Sequence, residues 1–149
     1  MSKKIENLLK QEMPFKWRVQ STRNNKATCV AYVDARQVMD KLDEAVGFGN
    51  WQDEYYEHNG NLYCKIGIKV ADEWIWKSDC GSESNVEKQK GEASDAFKRA
   101  AVKWGIGRFL YSMTMVKLDS DGKVPMYNGK RLYGDQVTKA CNYILQNGK

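Results

Sequence analysis

The stretch Leu62-Tyr-Cys-Lys-Ile-Gly-Ile-Lys-Val70 alternates between two kinds of residue without a break. Leu62, Cys64, Ile66, Ile68 and Val70 fall on one face, and Tyr63, Lys65, Gly67 and Lys69 on the other. A period of two belongs to a strand with one buried face. Just upstream, Asn59-Gly60 is a favoured pair for a two-residue hairpin turn, because both residues tolerate a left-handed backbone. Trp51–Glu57 therefore becomes an antiparallel partner. Downstream, Ala71-Asp72 allows a second tight turn into Glu73–Cys80, which shows Trp74, Trp76, Ser78 and Cys80 on one face. A meander of this kind needs something to cover its apolar face. The next segment supplies it: Ala93, Ala96, Phe97, Ala100, Ala101 and Trp104 recur at helical spacing. Ser84 and Glu87 form a capping box at its start, and Gly105 and Gly107 end it.

Working outward, Ile5, Leu8 and Leu9 fit a short amphipathic helix that Pro14 ends. Lys16–Arg23 and Ala27–Val33 read as strands joined by an Asn24-Asn25 turn. Asp34 is an N-cap with Gln37 three residues on, and Ala35, Val38, Met39, Leu42, Ala45 and Val46 form an apolar stripe closed by Gly47. Beyond residue 112 comes a loop rich in Gly, Asp and Asn, and then a last helix outlined by Val137, Ala140, Cys141, Ile144 and Leu145. The order predicts an α+β fold: an antiparallel β-meander packed against a long helix, with an N-terminal hairpin and flanking helices, as one domain over residues 1–149.

With 42% hydrophobic and 11% aromatic residues, the chain can form a core, which argues against general disorder. The net charge of +5 suits a polyanionic partner. Its distribution is more telling. Pro14 to Val33 holds Lys16, Arg18, Arg23 and Lys26 and no acid, and Lys98 to Arg108 holds Lys98, Arg99, Lys103 and Arg108 and no acid. Phe15, Trp17 and Tyr32 stand in the first stretch and Trp104 in the second. Basic groups track phosphates and aromatic faces stack on unpaired bases. The same residues also fit a solvated basic face around core aromatics, and composition leaves both open.

Other chemistries find little support. Cys29, Cys64, Cys80 and Cys141 are far apart and His58 is the single histidine, so no zinc site is expected. The cysteines read as buried free thiols of a reduced, cytosolic compartment. Met1–Gln11 lacks the apolar core of a signal peptide, and no run is long enough to span a membrane. Gly122-Lys123, Gly129-Lys130 and Gly148-Lys149 fail as phosphate loops, because Lys117, Val124 and Tyr143 stand where the first glycine belongs. Gly105-Ile106-Gly107 lacks the third glycine of a dinucleotide fingerprint. Asp79, Glu83, Glu87 and Glu92 do not converge from rigid elements as two-metal chemistry requires. Neither a cofactor nor an enzymatic activity is expected.

Lys98 and Arg99 point about 100° apart on the long helix. Arg99 follows Asp95 by four residues, the spacing of a weak solvated pair. Lys98 has Ser94 and Val102 at that spacing, so its charge is expected to serve an outside partner, and Lys103 extends the basic flank.

The run Gly91-Glu-Ala-Ser-Asp-Ala-Phe-Lys-Arg-Ala-Ala-Val-Lys-Trp-Gly-Ile-Gly-Arg-Phe-Leu-Tyr111 resembles the signature helix of the Rad fifty-two family of single-strand annealing proteins. Its short bacterial and phage members are the nearest in pattern. A second block, Tyr32-Val-Asp-Ala-Arg-Gln-Val-Met39 followed by Gly47-Phe-Gly-Asn-Trp51, agrees. The resemblance covers residues 15–112, and 113–149 do not align. It implies a β-β-β-α core, a homo-oligomeric ring, and a basic groove in which single-stranded DNA lies with its bases exposed for pairing. The family's central lysine–arginine pair matches Lys98 and Arg99, its first-strand arginine Arg23, and its second-strand tyrosine Tyr32. Many members carry an arginine three residues after the pair; this chain has Val102 there, with Lys103 beside it. A second, outer site for DNA, double-stranded included, is implied as well, with Lys65, Lys69 and Lys88 as candidates. The expected function is therefore sequence-independent binding of single-stranded DNA and ATP-independent annealing in recombination and repair, in the cytoplasm of a bacterium and encoded by host or phage. The alternative is a single-stranded nucleic-acid chaperone that coats without annealing.

Overall fold

The computed structural model describes residues 1–82 and 88–148, and of 88–90 the backbone alone. In chain order the elements are α1 (Lys3–Lys10), β1 (Lys16–Arg23), β2 (Lys26–Tyr32), α2 (Ala35–Val46), β3 (Trp51–His58), β4 (Asn61–Val70), β5 (Glu73–Cys80), α3 (Lys88–Lys103), β6 (Val116–Asp121), β7 (Val124–Tyr127), β8 (Lys130–Arg131) and α4 (Asp135–Asn147). They form two compact units: Met1–Met13 with Val33–Tyr111, and Pro14–Tyr32 with Ser112–Lys149.

The first unit is built on the antiparallel sheet β3-β4-β5. Its two turns are left-handed: Asn59 and Gly60 have φ of 52° and 80°, and Ala71 and Asp72 have 51° and 67°. Ala71 accepts this conformation despite its Cβ, which costs about 1–2 kcal/mol. Cys64, Ile66 and Ile68 are fully buried on the face toward α3, which returns Ala96, Phe97, Ala100 and Ala101 to the same core. The chain leaves β5 through Gly81, where an added Cβ would stand 2.2 Å from the Glu92 carbonyl oxygen. The Ser84/Glu87 capping box lies outside the described residues.

Helices α1 and α2 pack together in this unit, with Leu9, Val38 and Leu42 buried. The capping box of α2 is complete: the Gln37 N–H donates to Asp34 Oδ1 at 2.9 Å, and the Asp34 N–H donates to Gln37 Oε1 at 3.0 Å. Met39, expected in the apolar stripe, is 40% exposed. The buried row runs Val38, Lys41, Leu42, Ala45, so Met39 lies about one residue's rotation outside it. Lys41 tolerates burial because its ammonium donates to Gln11 Oε1 at 2.9 Å and Glu44 Oε1 at 2.7 Å.

The second unit corrects the sequence expectation for residues beyond 112. In place of a loop, β6, β7 and β8 extend the β1-β2 hairpin into an antiparallel sheet of order β1-β2-β6-β7-β8. Val116, Leu118 and Ser120 are buried while Lys117, Asp119 and Asp121 are exposed, a period of two partly hidden by its acids. Trp17, Ala27, Cys29, Val116 and Leu118 form a core with Val137, Ala140 and Cys141 of α4. The Trp17 indole N–H donates to Asn142 Oδ1 at 2.8 Å, and its backbone N–H donates to Thr138 Oγ1 at 3.0 Å. Leu145, expected on the helix's apolar face, is 44% exposed. All four cysteines are free, but Cys80 is only half-buried.

Candidate nucleic-acid interface

Helix α3 is anchored from both ends of its last turns. The Trp104 indole N–H donates to the Ile66 carbonyl at 3.0 Å, and the Lys77 ammonium lies 4.8 Å from the centre of the Trp104 ring. The Arg108 guanidinium folds back to donate to the Val102 carbonyl at 2.8 Å and the Lys103 carbonyl at 3.1 Å. A cation there adds a donor to carbonyls at the negative end of the helix dipole, the Val102 carbonyl also accepting from the Gly105 N–H at 2.9 Å. With Phe97, Ala101 and Trp104 committed to the core, the orientation of Lys98, Arg99 and Lys103 is fixed.

The expectation for Lys98 needs correction. Its ammonium donates to the Val33 carbonyl at 3.3 Å, so an acceptor on the protein's own backbone, which side-chain spacing could not reveal, engages it. Arg99 pairs with Asp95 as its spacing predicts, Nε to Oδ2 at 2.9 Å, and also reaches the Ser82 hydroxyl. The Ser82 backbone N–H and hydroxyl both donate to the same carboxylate at 2.8 and 3.1 Å. Burial alone would push the Asp95 carboxyl up, but these donors and the Arg99 guanidinium outweigh it and hold the carboxyl below its ordinary range. Lys103 is exposed and donates to the Ser78 carbonyl of β5. None of these bonds exhausts its donor, since an ammonium has three N–H groups and a guanidinium five. Each bond steadies a cation along the helix flank.

In the second unit Arg23 closes β1 beside the Asn24-Asn25 turn, and Tyr32 closes β2. In register, Arg23 faces Lys26 and Tyr32 faces Lys16, so the two candidates stand at opposite ends of the hairpin, about 20 Å apart. Lys26 is paired with Asp119 at 2.5 Å. Tyr32 is half-buried, and the Arg18 guanidinium lies 5.7 Å from its ring centre. Arg18 thus joins the candidates. Its two-residue offset from Lys16 was the signal for it, since both then share a face with Tyr32.

Lys65 and Lys69 belong to the first unit but lie on the face of β4 opposite Cys64, Ile66 and Ile68, away from α3. The structure therefore separates them from Lys98, Arg99 and Lys103 by the thickness of the sheet. Lys65 stands 3.6 Å from Glu54. The side chain of Lys88 lies outside the described residues. Among the described residues no group of three His, Cys, Asp or Glu is arranged to hold a metal ion, and no helix is long and apolar enough to cross a membrane.

Comparison with known proteins gives this arrangement a context. Two relatives are both called single-stranded DNA-binding protein DdrA. The one from Deinococcus radiodurans is 34% identical over 103 residues, which cover 68% of this chain and 49% of the relative. The one from Deinococcus deserti is 35% identical over 91 residues, covering 60% of this chain and 45% of the relative. The matches thus span about half the length of these relatives. A family model described as Rad52/22 family double-strand break repair protein matches residues 1–126, a span that holds the whole β3-β4-β5-α3 core and the basic flank of α3. On that match, the chain belongs to the Rad52/22 family of double-strand break repair proteins.

Proposed function

We propose that this chain binds single-stranded DNA without sequence preference and anneals complementary strands without ATP, as a homo-oligomer closed into a ring. The observation that carries the reading is the flank of α3, where Lys98, Arg99 and Lys103 are held in fixed places on a helix whose other side is core. Fixed cations spaced along a helix suit a polyphosphate backbone and ignore base identity. Family membership and the names of the two relatives support the same ligand. Arg23 and Tyr32 of the second unit, with Arg18, are further candidates for contact with single-stranded DNA, and residues 1–149 act as one annealing module in the bacterial cytoplasm. Among the described residues β3 and β5 each pair with β4 alone, and although Lys103 donates to the Ser78 carbonyl of β5, the rest of their outer edges suits extension by a neighbouring copy. Lys65 and Lys69 form a second, outer site for DNA, and Lys88 at the start of α3 is a further candidate for DNA contact.

The deciding experiment is the double variant Lys98→Ala/Arg99→Ala, assayed for annealing of labelled complementary oligonucleotides beside thermal melting and light scattering. Annealing should be nearly abolished, and the salt dependence of binding should flatten by about 0.7 in log–log slope for each phosphate that is no longer bound. Melting and oligomer mass should stay close to the parent. A double variant that melts normally and anneals like the parent removes α3 as the DNA-binding element. A parent that binds single strands without annealing them makes the protein a coating chaperone.

A further inference from the structure

The face of β3-β4-β5 that points away from α3 is lined with aromatic rings. Tyr56 of β3 stacks on Tyr63 of β4, with centroids 5.2 Å apart and planes 14° apart. Trp74 and Trp76 of β5 lie 6.3 Å apart with planes inclined by 32°. In the sheet register Trp76 faces Gly67, and a Cβ added to Gly67 would meet three atoms of the Trp76 six-membered ring, each at 2.9 Å. Three equal distances mean that the indole lies flat over the backbone instead of standing off it, and the glycine is what makes room. The Lys65 ammonium is 4.6 Å from the centre of the same ring, and exposed Lys69 faces Trp74 in register. Glu54 is the acid of this face, beside Lys65. Trp74 is 38% exposed and Tyr56 40%.

We infer that this sheet face is a stacking platform for the unpaired bases of single-stranded DNA, separate from the phosphate-binding flank of α3. The inference rests on the single-strand reading above and adds a chemistry to it: rings for bases where α3 offers cations for phosphates. Rings held flat by neighbours lose little freedom on binding, and every base offers a π-face, so stacking needs no sequence preference. The lysines between the rings argue for a nucleic acid over a second copy of the chain, because the centre of a protein–protein interface is depleted in lysine. The face and α3 flank opposite sides of one sheet, so they engage different stretches of strand.

Trp74 is the test. Of the five tryptophans it alone is exposed, so its loss should not damage the core. Binding of oligothymidylate to the full chain is compared for the parent, Trp74→Ala, Trp74→Phe and the Lys98→Ala/Arg99→Ala double variant, with melting and light scattering alongside. Trp74→Ala should weaken binding about tenfold, and Trp74→Phe should recover most of it. The salt slope should stay that of the parent in both, since every phosphate keeps its cation, whereas the double variant lowers it. Saturating oligothymidylate should quench tryptophan emission in the parent and less so in Trp74→Phe, which keeps the measurement valid if Trp74→Ala folds poorly. If both Trp74 variants bind like the parent while the double variant loses binding, the platform is wrong and the α3 reading stands. If the parent binds no oligothymidylate, both fall. If Trp74→Ala lowers the oligomer mass and leaves the affinity alone, the face belongs to an interface between copies and the inference is overturned.

Discussion

The two sheets of this protein are assembled in opposite ways. The β3-β4-β5 sheet is three consecutive strands joined by two-residue turns, and its cover α3 comes next in the chain. The β1-β2-β6-β7-β8 sheet joins a hairpin to strands from the far end, so that Lys26 pairs with Asp119, 93 residues away. Local pairing is directed by turn chemistry and periodicity within reach of a short window. Distant pairing must first meet the entropy of closing a long loop, and what repays it is the shared core of Trp17, Cys29, Leu118 and Cys141. The first sheet therefore declares itself strand by strand, and the second only as a finished object.

The largest expected effects test whether the two cores are separate. Phe97 is 1% exposed in the first unit and Trp17 3% in the second. Phe97→Ala and Trp17→Ala should each cost about 3–5 kcal/mol in denaturant melts, the usual loss for a buried aromatic. Their footprints should differ in amide hydrogen exchange. Phe97→Ala should deprotect β4 and α3, and Trp17→Ala should deprotect β1, β2 and α4. If either change deprotects both sets equally, the division into two cores fails as an energetic statement.

The same contrast explains what could be read from sequence alone. The meander, α2 with its capping box, and the buried row of α3 were legible because each is written in residues four or fewer apart: Asn59-Gly60, Asp34 with Gln37, Ala96 with Ala100. Strands β6 to β8 were not legible. Val116 and Leu118 alternate with Lys117 and Asp119, but Ser120, Asp121 and Gly122 give the same stretch the composition of a loop, and its partner strand lies nearly a hundred residues earlier. The site was readable to the same depth. The Arg99–Asp95 pair follows from helical spacing. The Lys98 bond to the Val33 carbonyl joins residues 65 apart through a backbone atom, which no side-chain pattern reports. The rings on the outer sheet face lie between these cases, since alternation placed Trp74 and Trp76 together but could not show that Gly67 lets an indole lie flat.

A middle-sized effect compares the helix starts. Helix α2 has both bonds of its capping box, whereas α4 starts after Gly134 with no side-chain cap, and Gln136 Oε1 accepts from the Tyr133 N–H at 2.8 Å. Asp34→Ala should therefore lower stability by about 1 kcal/mol, the usual cost of removing a cap. Gln136→Ala should cost less, on the order of 0.5 kcal/mol, because only one exposed backbone donor loses its acceptor. Equal losses measured by thermal melting would show that the reciprocal pair in α2 adds nothing beyond a single bond.

The smallest effects come from two exposed ion pairs, one in each unit. Lys26 and Asp119 are more than half exposed, and Lys26→Ala should change stability by less than about 0.5 kcal/mol at ordinary salt. Asp95 is different in kind. Its carboxylate accepts from Ser82 twice and from Arg99, and its folded pKa is depressed below the ordinary carboxylate value. A depressed carboxyl binds its proton more weakly in the folded chain than in the unfolded one, so its contribution is present in full above the unfolded pKa and is lost as pH falls through the folded one. Asp95→Asn keeps the shape and removes the charge. Since Asp95 and Arg99 are both partly solvated, the difference at pH 7 should stay within about 1 kcal/mol. Melting temperatures of parent and Asp95→Asn should begin to converge below about pH 4, where the carboxyl of the unfolded parent starts to protonate, and should meet as pH falls on through the lower folded value. A gap that stays constant over that range would mean that the variant loses packing or hydrogen-bond geometry instead of charge. The charge of Asp95 would then not be what fixes Arg99 in place, and the guanidinium would meet a phosphate from a less ordered start.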